Sequence, residues 1–153
     1  MTETVPEKTV SFGFETVTPG EKVERVKGVF RSVASRYDVM NDLMSAGIHR
    51  LWKHDTISKL NPQPGERLID VAGGTGDVAK AFLDKADEAG TRRGIADEAQ
   101  AVVCDINDAM LAAGKDRKDM AAYEGRMDWV CGDAQTLPFP DRSFAALTTA
   151  FGI

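Results

Sequence analysis

The chain has 153 residues, 42% of them hydrophobic and 28% charged, which is room for one ordinary α/β core and excludes two independent domains or a disordered chain. A net charge of −5 and a pI near 5.0 give phosphate backbones no general electrostatic reason to bind, so no nucleic acid is expected as a partner. Cys104 and Cys131 each end an apolar run and are expected as buried thiols; they supply too few ligands for a metal site, and none is expected.

Residues 1–20 mix Thr, Val, Glu and Gly without period and end in Thr18-Pro19-Gly20, which reads as an irregular N-terminal arm. It holds no sustained apolar stretch of the secretory kind, and no later run approaches membrane-spanning length, so a cytoplasmic protein is expected. From Glu21, the positions Val23, Val26, Val29, Phe30, Val33, Ala34 and Tyr37 recur at spacings of three and four, the mark of an amphipathic helix. Asn41-Asp42 and Ser45-Ala46-Gly47 interrupt it. A further helix through Ile48, Leu51, Trp52 and Ile57 runs to Leu60, where Pro62-Gln63-Pro64-Gly65 stops it. Residues 21–61 therefore read as a helical cap, and residues 62–153 as a separate region built on a sheet.

In that region apolar runs alternate with helical stretches. Arg67–Val71, Ala101–Cys104, Met127–Cys131 and Ala145–Thr149 read as strands, and Val78–Ala86 and Asp108–Tyr123 as helices. Such alternation implies parallel βαβ units, hence an α/β, Rossmann-like fold. The charged, Gly-containing stretch 87–99 reads as an enlarged surface loop. The chain stops directly after its fourth strand, whereas sheets of this type usually continue, so an incomplete sheet is expected.

Leu68-Ile69-Asp70-Val71-Ala72-Gly73-Gly74-Thr75-Gly76-Asp77 is a strand, a tight glycine turn and a helix start. Glycine at 74 and 76 removes the Cβ atoms that would hold a cofactor away from the backbone, and the helix start offers free N–H groups. Asp105 ends the second strand, 35 residues after Asp70, where a carboxylate can meet ribose hydroxyls. Asp133 follows the third strand, where it can accept from an adenine amino group. A dinucleotide fold would show a third glycine and an acid about 20 residues on. Here the third glycine is missing, and Asp77 would repel a pyrophosphate. A cofactor without phosphates fits better.

These motifs, with Asp105-Ile106-Asn107 and Asp133-Ala134-Gln135-Thr136-Leu137-Pro138-Phe139-Pro140-Asp141, resemble those of class I S-adenosylmethionine-dependent methyltransferases. The run from Tyr37 to Lys53 (YDVMNDLMSAGIHRLWK) and the closing Phe151-Gly152-Ile153 are similar to the signature of the ubiquinone and menaquinone biosynthesis C-methyltransferases. The resemblance implies S-adenosyl-L-methionine as cofactor, held by Thr75, Asp105, Asp133 and Ala134 together with Gly74 and Asp70 of the turn, and makes residues 62–153 a partial cofactor-binding domain. Two departures stand out: Ala72 replaces the first glycine of many such turns, and Ala150 stands where a hydroxyl residue often precedes Phe-Gly.

The implied reaction is C-methylation of a polyprenyl quinol ring, demethylmenaquinol or a polyprenyl-methoxy-benzoquinol. Deprotonating a ring hydroxyl makes the neighbouring carbon nucleophilic, so a base near neutral pKa is needed. His49 is the first candidate and Asp38 the second; the plain alternatives are a helix-surface histidine and a turn acid. Tyr37, Met40, Met44 and Trp52 suit either a prenyl path or ordinary core. The cluster Arg50, Lys53 and His54 suits either a solvated helix face or peripheral contact at the inner face of a membrane. The resemblance leaves open a homo-oligomer or a quinone-biosynthesis complex, another small methyl acceptor, and a chain that binds the cofactor without turnover.

Overall fold

The computed structural model describes residues 10–12, 15–18, 21, 25 and 48–150. The arm is not wholly irregular. Strands β1 (Val10–Phe12) and β2 (Glu15–Val17) form an antiparallel hairpin, with Val10 opposite Val17 and Phe12 opposite Glu15. Three-residue strands are too short for their alternation to show in a sequence. Thr18 and Glu21 then exchange hydrogen bonds, the Thr18 amide and hydroxyl donating to Glu21 Oε2 and the Glu21 amide to Thr18 Oγ1, a reciprocal cap that marks a helix start where the spacing predicts one. The rest of the stretch expected as that helix, with Asp38 and the Tyr37 to Gly47 part of the signature, lies outside the described residues, as do Phe151, Gly152 and Ile153.

Helix α1 (Ile48–Leu60) leads into β3 (Arg67–Val71), α2 (Asp77–Arg93), β4 (Gln100–Asp105), α3 (Asp108–Lys115), a 3-10 turn (Lys118–Tyr123), β5 (Met127–Cys131) and β6 (Ala146–Thr149). The four long strands form a parallel sheet in the order β5-β4-β3-β6. The chain steps outward from β3 to β5 and returns to the other side of β3, so strand order reverses beside β3. Crevices at such reversals, at the carboxyl ends of parallel strands, are where α/β sheets bind ligands.

Alternation along β3 divides the core. Leu68 faces Val78, Phe82, Leu83, Ala86, Leu111, Met120 and Ile57, so α1, α2, α3 and the 3-10 turn share one cluster with the sheet. Ile69 and Val71 turn the other way, with Cys104, beneath Leu137, Phe139 and Phe144 of the segment before β6. Both expected buried thiols can now be placed: Cys104 is buried, but Cys131, at the open edge of the sheet, is exposed.

Two helix boundaries differ from the expectations. The stretch 87–99 is not all loop, because α2 continues to Arg93 with Ala89 and Gly90 buried, and a Cβ on Gly90 would lie 2.9 Å from the Ile95 carbonyl oxygen. Gly90 is a close-approach residue, and the helix ends at Gly94, whose amide reaches back to the Gly90 and Thr91 carbonyls. The helix expected over 108–123 breaks in two, because Arg117 adopts an extended backbone (ψ 132°) and sends its side chain to Asp77 and Asp119.

Candidate functional site

The glycine turn leaves β3 through Ala72 (φ +55°) and passes Gly74 (φ +55°) and Gly76 (φ +81°) before α2 begins. Its glycines have separate jobs. A Cβ on Gly73 would lie 2.8 Å from Asp70 Oδ2 and 2.9 Å from Val103 Cγ1, so the bare face of Gly73 lies over the Asp70 carboxylate. A Cβ on Gly76 would come within 2.7 Å of the Trp129 ring, and one on Gly114 within 2.6 Å. Gly76 is thus a packing glycine: it and Gly114 make the hollow that takes the indole, rather than exposing backbone to a ligand. Gly74 meets only Met110 Cε, at 3.2 Å, and keeps the role of open backbone.

Asp70 and Asp105, and Asp133 just beyond β5, all come to the carboxyl edge of the sheet. Asp105 grips the turn, accepting from the Gly74 amide at Oδ2 (2.9 Å) and from the Asn107 amide at Oδ1 (2.8 Å). Each of its oxygens retains capacity for a second donor. Asn107, which sequence reasoning left without a role, caps α3 by accepting from the Ala109 and Met110 amides. An asparagine directly before a helix is a legible cap signal. Between them Ile106 is 49% exposed, an apolar surface beside a strand-terminal acid. Asp133 and Ala134 are exposed, and Asp133 Oδ1 accepts from the Gln135 amide at 2.8 Å, fixing a local turn. Thr75 is buried.

Asp70 is 1% exposed. Its Oδ1 accepts from the Thr148 hydroxyl of β6 at 2.7 Å, while Oδ2 has no hydrogen-bond partner. Burial pushes the carboxyl up from 3.8 to about 6, against the Thr148 bond and the Lys53 charge, which pull it down; Asp105 adds a smaller push upward. Asp77, seven residues on, is the opposite case. Burial would raise it too, but Lys53 Nζ donates to Oδ2 at 2.8 Å and Arg117 donates to Oδ1, and together they hold the carboxyl below its ordinary range. Lys53 therefore turns inward to the glycine turn, which removes it from the expected basic surface cluster with Arg50 and His54; His54 is exposed. Trp52, at 59% exposed, is not core. His49 lies on α1 near its start.

A strand, a glycine turn closed onto the next strand's acid, and a buried carboxylate under bare backbone thus meet at the carboxyl end of β3. The model of the ubiE/COQ5 methyltransferase family matches residues 8–153. The chain belongs to that family. It is 50% identical over 146 residues to the ubiquinone/menaquinone biosynthesis C-methyltransferase of Roseobacter denitrificans, with 95% of this chain and 54% of the relative covered. The protein of the same name from Teredinibacter turnerae is 49% identical over 147 residues, with 96% and 55% covered. The chain thus spans about half the length of the curated relatives it matches. Among solved structures, a protein named as an S-adenosyl-L-methionine-dependent methyltransferase from Methanococcus maripaludis superposes with a TM-score of 0.61 at 16% identity, covering 80% of this chain and 50% of that one, a likeness of fold. The α/β, Rossmann-like reading and the family resemblance both stand.

Proposed function

We propose that the chain binds S-adenosyl-L-methionine in the crevice at the carboxyl end of β3 and serves C-methylation of a polyprenyl quinol in ubiquinone or menaquinone biosynthesis. The single observation that carries the reading is the buried, half-satisfied Asp70 carboxylate beneath Gly73, next to a turn pinned by Asp105. A cofactor carrying cationic groups and no phosphate suits this set. An anionic pyrophosphate would meet the carboxylates of Asp70 and Asp105 and be repelled; Asp77, expected from the sequence to add to that repulsion, is neutralised by Lys53 and Arg117 and does not.

In this reading Asp70 accepts from the cationic amino-acid end of the cofactor, the Gly74 and Thr75 backbone lines it, Asp105 accepts from ribose hydroxyls, Ile106 covers one adenine face, and Asp133 and Ala134 border the adenine edge. The bound group supplies a methyl on a positively charged sulfur, which a ring carbon can displace. What the protein adds is alignment of donor and acceptor and a base for the ring hydroxyl. His49 on α1 is the first candidate for that base, and Asp38 the second. Residues 1–20, 21–61 and 62–153 act as arm, helical cap and partial cofactor domain. No helix among the described residues is long and apolar enough to cross a membrane. A prenylated acceptor partitions into lipid, and this is what supports peripheral contact at the inner membrane face.

Calorimetry with S-adenosyl-L-methionine and NAD tests the cofactor. Saturable binding of the methyl donor alone, weakened at least about tenfold by Asp105→Ala through loss of a charge-assisted hydrogen bond, is expected. Binding of NAD, or of neither ligand by the folded chain, overturns the reading. Turnover of a short-chain quinol by the wild type, lost in His49→Ala, then supports His49 as the base; undiminished turnover removes it.

A further inference from the structure

Thr148 was not singled out by any motif, yet it is buried in β6 directly opposite Asp70 in the parallel register, on the same face of the sheet. Its hydroxyl donates to Asp70 Oδ1 at 2.7 Å, and Asp70 Oδ2, left without a hydrogen-bond partner, lies where a Cβ on Gly73 would touch it at 2.8 Å. The β3–β6 pairing thus sets the two carboxylate oxygens apart. We infer that Thr148 is a positioning residue: by occupying Oδ1 it fixes the carboxylate plane and leaves Oδ2 as the acceptor presented to a cationic N–H donor at the glycine turn. The ligand half of this inference rests on the cofactor reading above; the effect of Thr148 on Asp70 does not.

Opposing influences meet at Asp70. A carboxylate this deeply buried resists ionisation, and the groups that act on it come from every side: Thr148 from β6, the Lys53 charge from α1, the Ala79 amide from the first turn of α2, and Asp105 from β4. The first three favour the ionised form, and Asp105 opposes it. Of these, only Thr148 makes a hydrogen bond of good geometry to the carboxylate. It is short and comes from a rigid strand position, so it both orients the group and keeps it ionised near neutral pH. A hydroxyl on a neighbouring strand does so without adding a charge that would compete with a cationic ligand.

The test uses the 153-residue chain as wild type, Thr148→Val, which keeps the shape and removes the donor, and Thr148→Ser, which restores it. The Asp70 carboxyl is titrated by carbon NMR in the unliganded protein, and S-adenosylhomocysteine binding is measured from pH 5 to 8. The expected result is an Asp70 midpoint raised by about one pH unit in Thr148→Val, the size of one hydrogen bond to a charged acceptor, and returned towards wild type in Thr148→Ser. The acid limb of the binding curve should move with it, with several-fold weaker affinity near pH 6 and a smaller loss at pH 8. A Thr148→Val midpoint equal to wild type, or an affinity loss of the same size at every pH, overturns the positioning role. If wild type binds no S-adenosylhomocysteine, the cofactor reading falls, and the ligand half of this inference falls with it. The NMR titration still decides whether Thr148 acts on Asp70.

Discussion

The glycine turn has two ends, each marked by an aspartate, and they are built on opposite principles. Asp77 opens α2 with one cation on each oxygen, Lys53 from the cap helix and Arg117 from the break after α3. Asp70, one residue before the end of β3, has one neutral donor on one oxygen and no hydrogen-bond partner on the other. The first end ties three elements together. The second holds a buried carboxylate at a cost to the fold, and an unsatisfied buried acceptor of this kind is expected where a ligand completes it. The turn is held firmly at its helix end and left incomplete at its strand end, where the cofactor is proposed to bind.

The largest effect should come from removing the packing that supports both ends. Gly76→Ala puts a side chain at φ +81° and within 2.7 Å of Trp129, and should destabilise the chain by about 3 kcal/mol in urea denaturation. An unchanged midpoint would mean the indole does not fill that hollow. Asp77→Ala comes next. It leaves Lys53, with 22% of its side chain exposed, without this acceptor, and should cost about 2 kcal/mol at pH 7. Because the Asp77 pKa is depressed on folding, that contribution is present above the ordinary carboxylate range and is lost as pH falls through the lowered value.

Asp70→Asn should act in the other direction. The Asp70 pKa is raised on folding from 3.8 to about 6, so its ionisation weakens the fold progressively as pH rises through that window. The amide variant should be more stable than wild type by about 1–3 kcal/mol at pH 7, with the gain vanishing near pH 3.5, while cofactor binding is lost. A variant less stable than wild type at pH 7 would dissolve the contrast between the two ends. Asp55→Ala serves as the smallest effect. Its i,i+4 partner Lys59 is 76% exposed, and the change should stay under about 0.5 kcal/mol.

Local chemistry made much of this legible. The four strands, the glycine turn, the acids ending β3 and β4 and following β5, and the start of α1 follow from apolar runs and turn residues that act within a few positions. The family is legible in the same way, from motif residues in unbroken order. What misled were residues whose meaning is set from outside their own segment. Gly90 looks like a helix breaker and is a contact with Ile95 and Pro64; Gly76 looks like open backbone and is half of the Trp129 hollow. Lys53 looks like surface charge and is the Asp77 partner, 24 positions away in the chain.

The sequence by itself determined the fold class, the family and the edge of the sheet where the acids gather, because periodicity and turn chemistry are local properties. Tertiary structure alone decided which of those acids is satisfied. Thr148 reaches Asp70 across 78 positions through the β3–β6 register, and Lys53 and Arg117 converge on Asp77 from separate elements. Charge, burial and hydrogen bonding at a carboxylate depend on what packs against it, and that is settled only when the strands and helices have come together.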